Sequence, residues 1–401
     1  MNILFIHQNF PGQFIHLAAD LARQKSNKVV ALTINRLPTP AGVTLRPYTL
    51  LRPSAPETHP LLQDHENKIL RAEACAAAAF QLKREGFVPD IIVAHPGWGE
   101  ALFIKDVFPQ AKLVVYAEYY YALEGQDVGF DPEIPPLTFE QRCRLRLKNT
   151  TNLLSMELAD AALSPTQWQK STYPAWAQQK ISVIHDGIDL ARLKHNPKAK
   201  LTLAANSLHG KINFKAGDEI LSYVSRNLEP VRGFQVFMRT LPEVLRRRPN
   251  AHAIVVGGDE TGYGHAAPNG LSWKQHLLAE LGDQLDLARV HFVGKVPYQS
   301  YLDLLNISRV HAYWTTPFVL SWSFLEAALS GLPVVASDTP PVQEFAARIG
   351  ASTAEFFDSA AYAEALSTAL AKKQSARLPV HLPEIGLSHC LAEQTRLLHA
   401  L

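Results

Sequence analysis

The chain has 401 residues, 47% of them hydrophobic and 19% charged; that is too long for one core and suits two α/β domains. A formal net charge of +2 lacks the basic excess of a nucleic-acid binder, so no nucleic-acid partner is expected. Cys75, Cys143 and Cys390 are far apart, odd in number and without a CxxC pair, which argues against a disulfide framework or zinc site and fits a reducing cytoplasm.

Asn2 to His7 is a short apolar run of the buried parallel-strand kind, without the basic leader of a signal peptide. Its loop, His7-Gln8-Asn9-Phe10-Pro11-Gly12-Gln13, has one glycine and is not a GxGxxG fingerprint. Asn9 and Gly12 there either shape an acceptor pocket or make an ordinary turn. A helix follows from Gly12 to Gln24, then a strand from Lys28 to Thr33. Residues 36–60 are proline-rich and read as loop with room for an edge strand. Asn67 to Glu85 is alanine-rich and helical, Asp90 to His95 a strand, Trp98 to Val107 a helix, and Lys112 to Tyr116 a strand. Phe139 to Asp160 reads as one long helix, before short strands at Ala162 to Ser164 and Ile181 to Ile184.

Residues 191–217 are polar and loosely patterned, and the linker is expected there, between an N-terminal domain 1–190 and a second domain 218–385. Strands restart at Ile220 to Ser225, His252 to Val256, Val290 to Val293, Val310 to Trp314 and Val334 to Ser337. Strands separated by helices demand parallel pairing with right-handed crossovers. The fold class is therefore α/β, two Rossmann-like domains facing each other across a cleft. Residues 386–401 form a last helix, expected to pack back on the N-terminal domain. No apolar stretch reaches membrane-spanning length.

In such sheets ligands bind beyond the carboxyl ends of the strands. His95, before Pro96-Gly97-Trp98-Gly99, is placed to hydrogen-bond a sugar hydroxyl or a phosphate, or is a packed turn histidine. Glu118, Tyr119 and Tyr120 follow the next strand, with rings for a sugar face and a carboxylate for its hydroxyls, or form a structured loop. Arg226 and Arg232 straddle a turn at a helix start, where guanidinium forks match phosphate oxygens, or are simply two exposed arginines. Gly257 permits close ligand approach or makes a plain turn, and Gly294 and Lys295 offer groups to a nucleobase. Ser321, Trp322 and Ser323 open a helix whose amides suit phosphate. Glu326 would accept ribose hydroxyls, or close a capping box begun by Ser323.

Arg226, Arg232-Gly233, Glu326, Gly331-Leu332-Pro333-Val334-Val335-Ala336 and Asp338 make the segment from Arg226 to Glu344 resemble the nucleotide-binding domain of retaining family-4 glycosyltransferases of GT-B architecture. Glu118-Tyr119-Tyr120 with Glu124 to Glu133 resembles a bacterial subgroup, and His185-Asp186-Gly187-Ile188-Asp189 is similar to the family's Asn-Gly-Ile-Asp segment. The resemblance implies that Arg226 and Arg232 hold a donor diphosphate, Arg232 standing where the family has lysine. Glu326 would bind the ribose, Lys295 would frame the base, and His95 would approach the donor sugar. It implies a metal-free, cofactor-free transfer, with UDP or GDP leaving and a glycan or other hydroxyl-bearing acceptor. Eight residues before Glu326, where the family carries a first glutamate, stands Phe318; the bacterial subgroup it resembles shares this departure, and Glu118 or Asp259 is a candidate substitute. A 2-epimerase of the same architecture, or a silent sugar-nucleotide-binding subunit, is the competing expectation. The basic runs Arg142 to Lys148 and Arg246 to Arg248 are either solvated faces or a peripheral contact with an anionic inner membrane surface.

Overall fold

A computed structural model describes residues 1–203, 211–372, 377 and 380–401. The chain divides into two compact units, Met1–Gly187 with Pro383–Leu401, and Ile188–Leu382.

The first unit is built on seven parallel strands. They are β1 (Asn2–Ile6), β2 (Lys28–Thr33), β3 (Val43–Pro47), β4 (Ile91–Ala94), β5 (Lys112–Tyr116), β6 (Ala161–Ser164) and β7 (Ile181–Val183), in the order β3-β2-β1-β4-β5-β6-β7. β3, inside the proline-rich stretch, is an edge strand and mostly exposed. Period-two alternation splits the strand side chains between two faces. Leu4, Ile6, Val30 and Leu32 face one core with Ala74, Cys75 and Leu82 of α2 (Gln63–Arg84). Ile3, Phe5, Val29 and Ala31 face the other, with Leu17 and Leu21 of the earlier helix α1 (Ile15–Arg23). Leu398, on a C-terminal helix (Leu387–His399), is buried in this second core, with Leu391 and Leu397 packed against it.

Two segments depart from the expected helices. After Pro96 the chain makes a 3-10 turn, Pro96–Trp98, and only one helical turn, α3 (Ile104–Val107). The long helix expected to Asp160 is broken into α4 (Phe139–Lys148) and α5 (Thr150–Leu158). The break falls at Asn149, whose side-chain amide donates to the Tyr121 carbonyl at 2.7 Å and accepts from its N–H at 2.9 Å. α6 (Gln167–Ser171) and α7 (Ala175–Gln178) complete the unit before β7.

The second unit opens with an antiparallel ribbon, β8 (Lys200–Leu203) and β9 (Ile212–Lys215), within residues 191–217. The linker reading is corrected there: apolar residues alternate along both strands, and Leu201, Leu203, Ile212 and Phe214 pack with Ile220, Ile254 and Ile307. Residues 204–210 of that stretch lie outside the described residues. The main sheet comprises β10 (Ile220–Asn227), β11 (His252–Gly258), β12 (Val290–Gly294), β13 (Val310–Tyr313), β14 (Val334–Ser337) and β15 (Ser352–Ala354), all parallel, in the order β12-β11-β10-β13-β14-β15. β15, a mostly exposed edge strand of three residues, carries no apolar run to betray it. Its helices are α8 (Phe234–Arg247), α9 (Trp273–Leu281), α10 (Tyr298–Ile307), α11 (Trp322–Leu329), α12 (Pro340–Ile349) and α13 (Ser359–Ala371); the C-terminal helix is α14.

Strand order reverses at β1/β4 in the first unit and at β10/β13 in the second. At such points neighbouring connections leave on opposite sides of the sheet and open a crevice above the strand ends.

Candidate functional site

At the β1/β4 reversal, His7 follows β1 and His95 follows β4, both almost fully buried, with ring centroids 5.4 Å apart. The Trp98 indole stacks on His95 at 4.3 Å and meets His7 edge-on at 4.9 Å. Each imidazole uses Nδ1 to accept a main-chain N–H, from Asn9 at 2.9 Å for His7 and from Gly97 at 3.1 Å for His95. The ring proton of a neutral imidazole is then on Nε2. His7 Nε2 pairs with Gln13 Oε1 at 2.8 Å, Gln13 Nε2 donates to Glu118 Oε1 at 2.7 Å, and His95 Nε2 meets Glu118 Oε2 at 3.2 Å. Burial, with His95 nearby, lowers His7 to a pKa of about 3. Burial alone would raise Glu118, but hydrogen bonds and charge from His95, and the bond from Gln13, outweigh it and hold the carboxyl below its usual range. The result is an ionised carboxylate at the strand ends, gripped from two sides.

Gly12 does not open toward a ligand. Its φ is +47°, and an added Cβ would lie 2.5 Å from the His7 ring, so its smallness serves the imidazole. Asn9 presents its amide oxygen to Asn35 Nδ2 at 2.6 Å. Tyr119 is buried with its hydroxyl donating to Asp127 at 2.8 Å, and Tyr120 packs against the apolar core beneath the sheet. Both rings therefore brace the loop. Amides of Asn152 and Gln169 hold the Tyr119 and Glu118 carbonyls. Glu118 is thus the member of that trio whose functional group joins His95. Arg71, from α2, reaches Gln8 Oε1 at 2.7 Å in the same region.

At the β10/β13 reversal, Arg232 ends a 3-10 turn, Pro230–Arg232, and crosses to the segment after β13. Its Nη1 donates to the Thr315 hydroxyl at 3.1 Å, the Val319 carbonyl at 2.7 Å and the Tyr313 hydroxyl at 3.4 Å. Its guanidinium lies 5.4 Å over the Phe318 ring. Phe318 is buried and its ring is 5.1 Å from that of Tyr263, whose hydroxyl accepts from Arg226 Nη1 at 3.3 Å. The two arginines therefore belong to one continuous row. The Tyr313 hydroxyl also accepts from the Ser321 N–H at 2.8 Å, joining the start of α11 to the row.

Glu326 lies inside α11, where the Ser321 N-cap makes no side-chain cap bond. The capping-box alternative is not formed. Glu326 is buried, its pKa raised by desolvation against the opposing bond from the Tyr298 hydroxyl, which donates to Oε1 at 2.6 Å. Arg192 sits over the Tyr298 ring at 4.4 Å and adds positive charge. Ser321 and Ser323 hydroxyls pair with each other at 3.0 Å, and Trp322 is half-buried beside them. Gly257 packs inside the unit, an added Cβ lying 2.6 Å from Leu228. Gly294, with φ of +65°, faces open space, and Lys295 is exposed and paired with Glu260 at 3.0 Å. Asp259 is ion-paired with Lys274, leaving Glu118 as the candidate carboxylate not tied to a lysine.

Of the basic runs, Arg246 and Arg247 pair with Glu243, and Arg248 with Glu219. α4, carrying the other run, has no buried residue, and Phe139 at its start is 83% exposed. Among the described residues no helix is long and apolar enough to cross a membrane, and no group of three or more His, Cys, Asp or Glu could hold a metal ion.

His7, Gln13, Tyr263 and Tyr298 join the candidate site without having been singled out in the sequence. The position of His7 directly after a strand was a usable signal; the others take part through partners far away in sequence.

Residues 25–193 match the profile described as "Glycosyl transferase family 4 group", and residues 218–372 that of "Glycosyl transferases group 1". No curated protein matches the chain. Among solved structures, the chain is similar to sucrose-phosphate synthase from Thermosynechococcus elongatus, with TM-score 0.68, 15% identity and coverage of 100% of this chain and 98% of that one. It is similar to an α,α-trehalose-phosphate synthase (UDP-forming) from Burkholderia vietnamiensis, with TM-score 0.64, 13% identity and full coverage of both chains. It also resembles a Listeria monocytogenes protein described as a UDP-N-acetylglucosamine 2-epimerase, with TM-score 0.54, 13% identity and coverage of 100% and 96%. At these identities the likeness speaks for the fold.

Proposed function

The chain belongs to the GT-B glycosyltransferases, a family 4 group region followed by a group 1 region, and from that premise we propose that it moves a hexose from UDP or GDP to a hydroxyl-bearing acceptor with retention at the anomeric carbon. The second unit takes the nucleotide sugar and the first supplies the acceptor side.

One observation carries the reading: the row Arg226–Tyr263–Phe318–Arg232 at the β10/β13 reversal, with the α11 start joined to it through Tyr313. As the anomeric bond breaks, negative charge gathers on the diphosphate. Prearranged guanidinium groups stabilise that charge without having to reorganise. Glu326 accepts ribose hydroxyls, and its raised pKa suits a carboxylate that needs hydroxyl donors such as Tyr298 to ionise when buried. In the first unit, ionised Glu118, held by His95 Nε2–H and Gln13, accepts from an acceptor hydroxyl. The departing phosphate takes the acceptor proton as the new glycosidic bond forms on the same face. These side chains serve a transfer that uses no metal and no further cofactor.

Calorimetric titration with UDP and GDP tests the donor reading. Wild type should bind one of them, and Arg232→Ala should weaken binding about tenfold or more, the scale of one charged hydrogen bond. No binding of either diphosphate would sink it. Incubation with nucleotide sugar and an acceptor panel then tests transfer. An isomerised nucleotide sugar formed without acceptor would replace transfer by epimerisation, and binding with no turnover would leave a silent subunit.

A further inference from the structure

We propose that the Tyr263 phenol is a further contact for the donor's diphosphate, and that the buried Glu229 carboxylate positions it; the proposal rests on the donor reading above.

The loop between β11 and α9 holds little that is apolar, yet its course is fixed. Glu229, 1% exposed, offers Oε2 to three successive main-chain amides: Gly262 at 3.2 Å, Tyr263 at 3.0 Å and Gly264 at 2.9 Å. Bonds to a charged acceptor are the stronger kind, and consecutive amides around one anion form a concave nest. Glycine at 262 leaves these side chains where they are: a Cβ there would stand 2.6 Å from the Asn227 side-chain amide and 2.8 Å from Glu229 Oε1.

What this arrangement orients is Tyr263. Its ring rests on Phe318, beyond which lies Arg232, and its hydroxyl accepts from Arg226. The residue is 45% exposed, so the hydroxyl is within reach of a ligand. Having accepted from Arg226, the hydroxyl directs its own proton to another acceptor. A phosphate oxygen held by Arg226 is an acceptor of the right charge in the right place. Tyr263 then acts as a neutral donor between two cations, selecting for an anion extended along the row, a diphosphate over a monophosphate. Phe318 is the platform that sets the phenol's height.

The test is calorimetry on the full chain with UDP, GDP and the matching monophosphates. Tyr263→Phe should weaken the diphosphate about tenfold and the monophosphate less than about twofold. Glu229→Gln should give the same selective loss, and the double variant should be no weaker than Tyr263→Phe alone, as coupled residues are non-additive. If Arg226→Ala weakens the diphosphate while Tyr263→Phe binds as wild type, or binds more tightly, the proposal is overturned and the donor reading stands. Equal losses for mono- and diphosphate, or additive losses in the double variant, also overturn it. If wild type binds neither diphosphate, the donor reading falls and this proposal with it.

Discussion

Glu118 keeps its charge because Gln13 and His95 each give it a hydrogen bond. Its pKa is depressed, so the interaction is in place above the ordinary value of 4.5 and is lost as pH falls through the lower folded value. Glu118→Gln should cut kcat/KM by about a hundredfold or more while flattening the acidic limb of the pH profile; an unchanged limb would assign that limb to another group. Glu100 behaves in the opposite sense. It is buried, with Tyr48 donating to Oε1 at 2.7 Å, and desolvation raises its pKa. Its favourable neutral form is lost as pH rises, so Glu100→Gln should become more stable relative to wild type as pH climbs above the ordinary carboxylate value of about 4.5, read from urea midpoints. Parallel midpoints would show that Glu100 does not titrate in that range. The arginines and Glu326 were singled out as candidates in the sequence, from charge beside a strand end or a helix start, and the structure joins the two arginines through Tyr263 and Phe318. Glu229 and Tyr263 were not singled out, since a carboxylate that collects amides from more than thirty residues away leaves no local pattern.

Strands announced themselves as apolar runs where both faces are covered, as in β1 and β4, whose core-facing residues are almost wholly enclosed. β3, β8, β9 and β15 are partly solvated, and their runs are mixed with polar residues. The α4/α5 break was hidden for another reason: Asn149 interrupts the helix through a tertiary bond to Tyr121, a choice that helical periodicity does not record. α14 shows tertiary packing of the same consequence. Leu398 is 1% exposed within the core of the first unit. Leu398→Ala should cost about 2–5 kcal/mol, measured as a fall in the denaturation midpoint of that unit. A change below about 0.5 kcal/mol would mean that the helix contributes little to it.

At the scale of the molecule, three enclosed imidazoles set the response to acid. Burial lowers His7 to a pKa of about 3, His185 to about 4 and His311 to about 3, from 6.5. Below about pH 6.5 the unfolded chain takes up these protons and the folded one does not, so stability falls with pH through this window. The denaturation midpoint should decline from about pH 6.5 to about pH 4, and His311→Gln should flatten the decline for the second unit. An identical slope in the variant would shift the cause to the carboxylates.

The first unit is assembled from two pieces of chain, Met1–Gly187 and Pro383–Leu401, with all of Ile188–Leu382 between them. During synthesis its amino-terminal sheet emerges long before α14, with the whole second unit made in between. The apolar face that receives Leu398 therefore waits, uncovered, while the second unit is made and folds. A chain stalled or clipped before residue 383 would carry a complete second unit and a first unit still lacking α14, its apolar face open to solvent or to a chaperone.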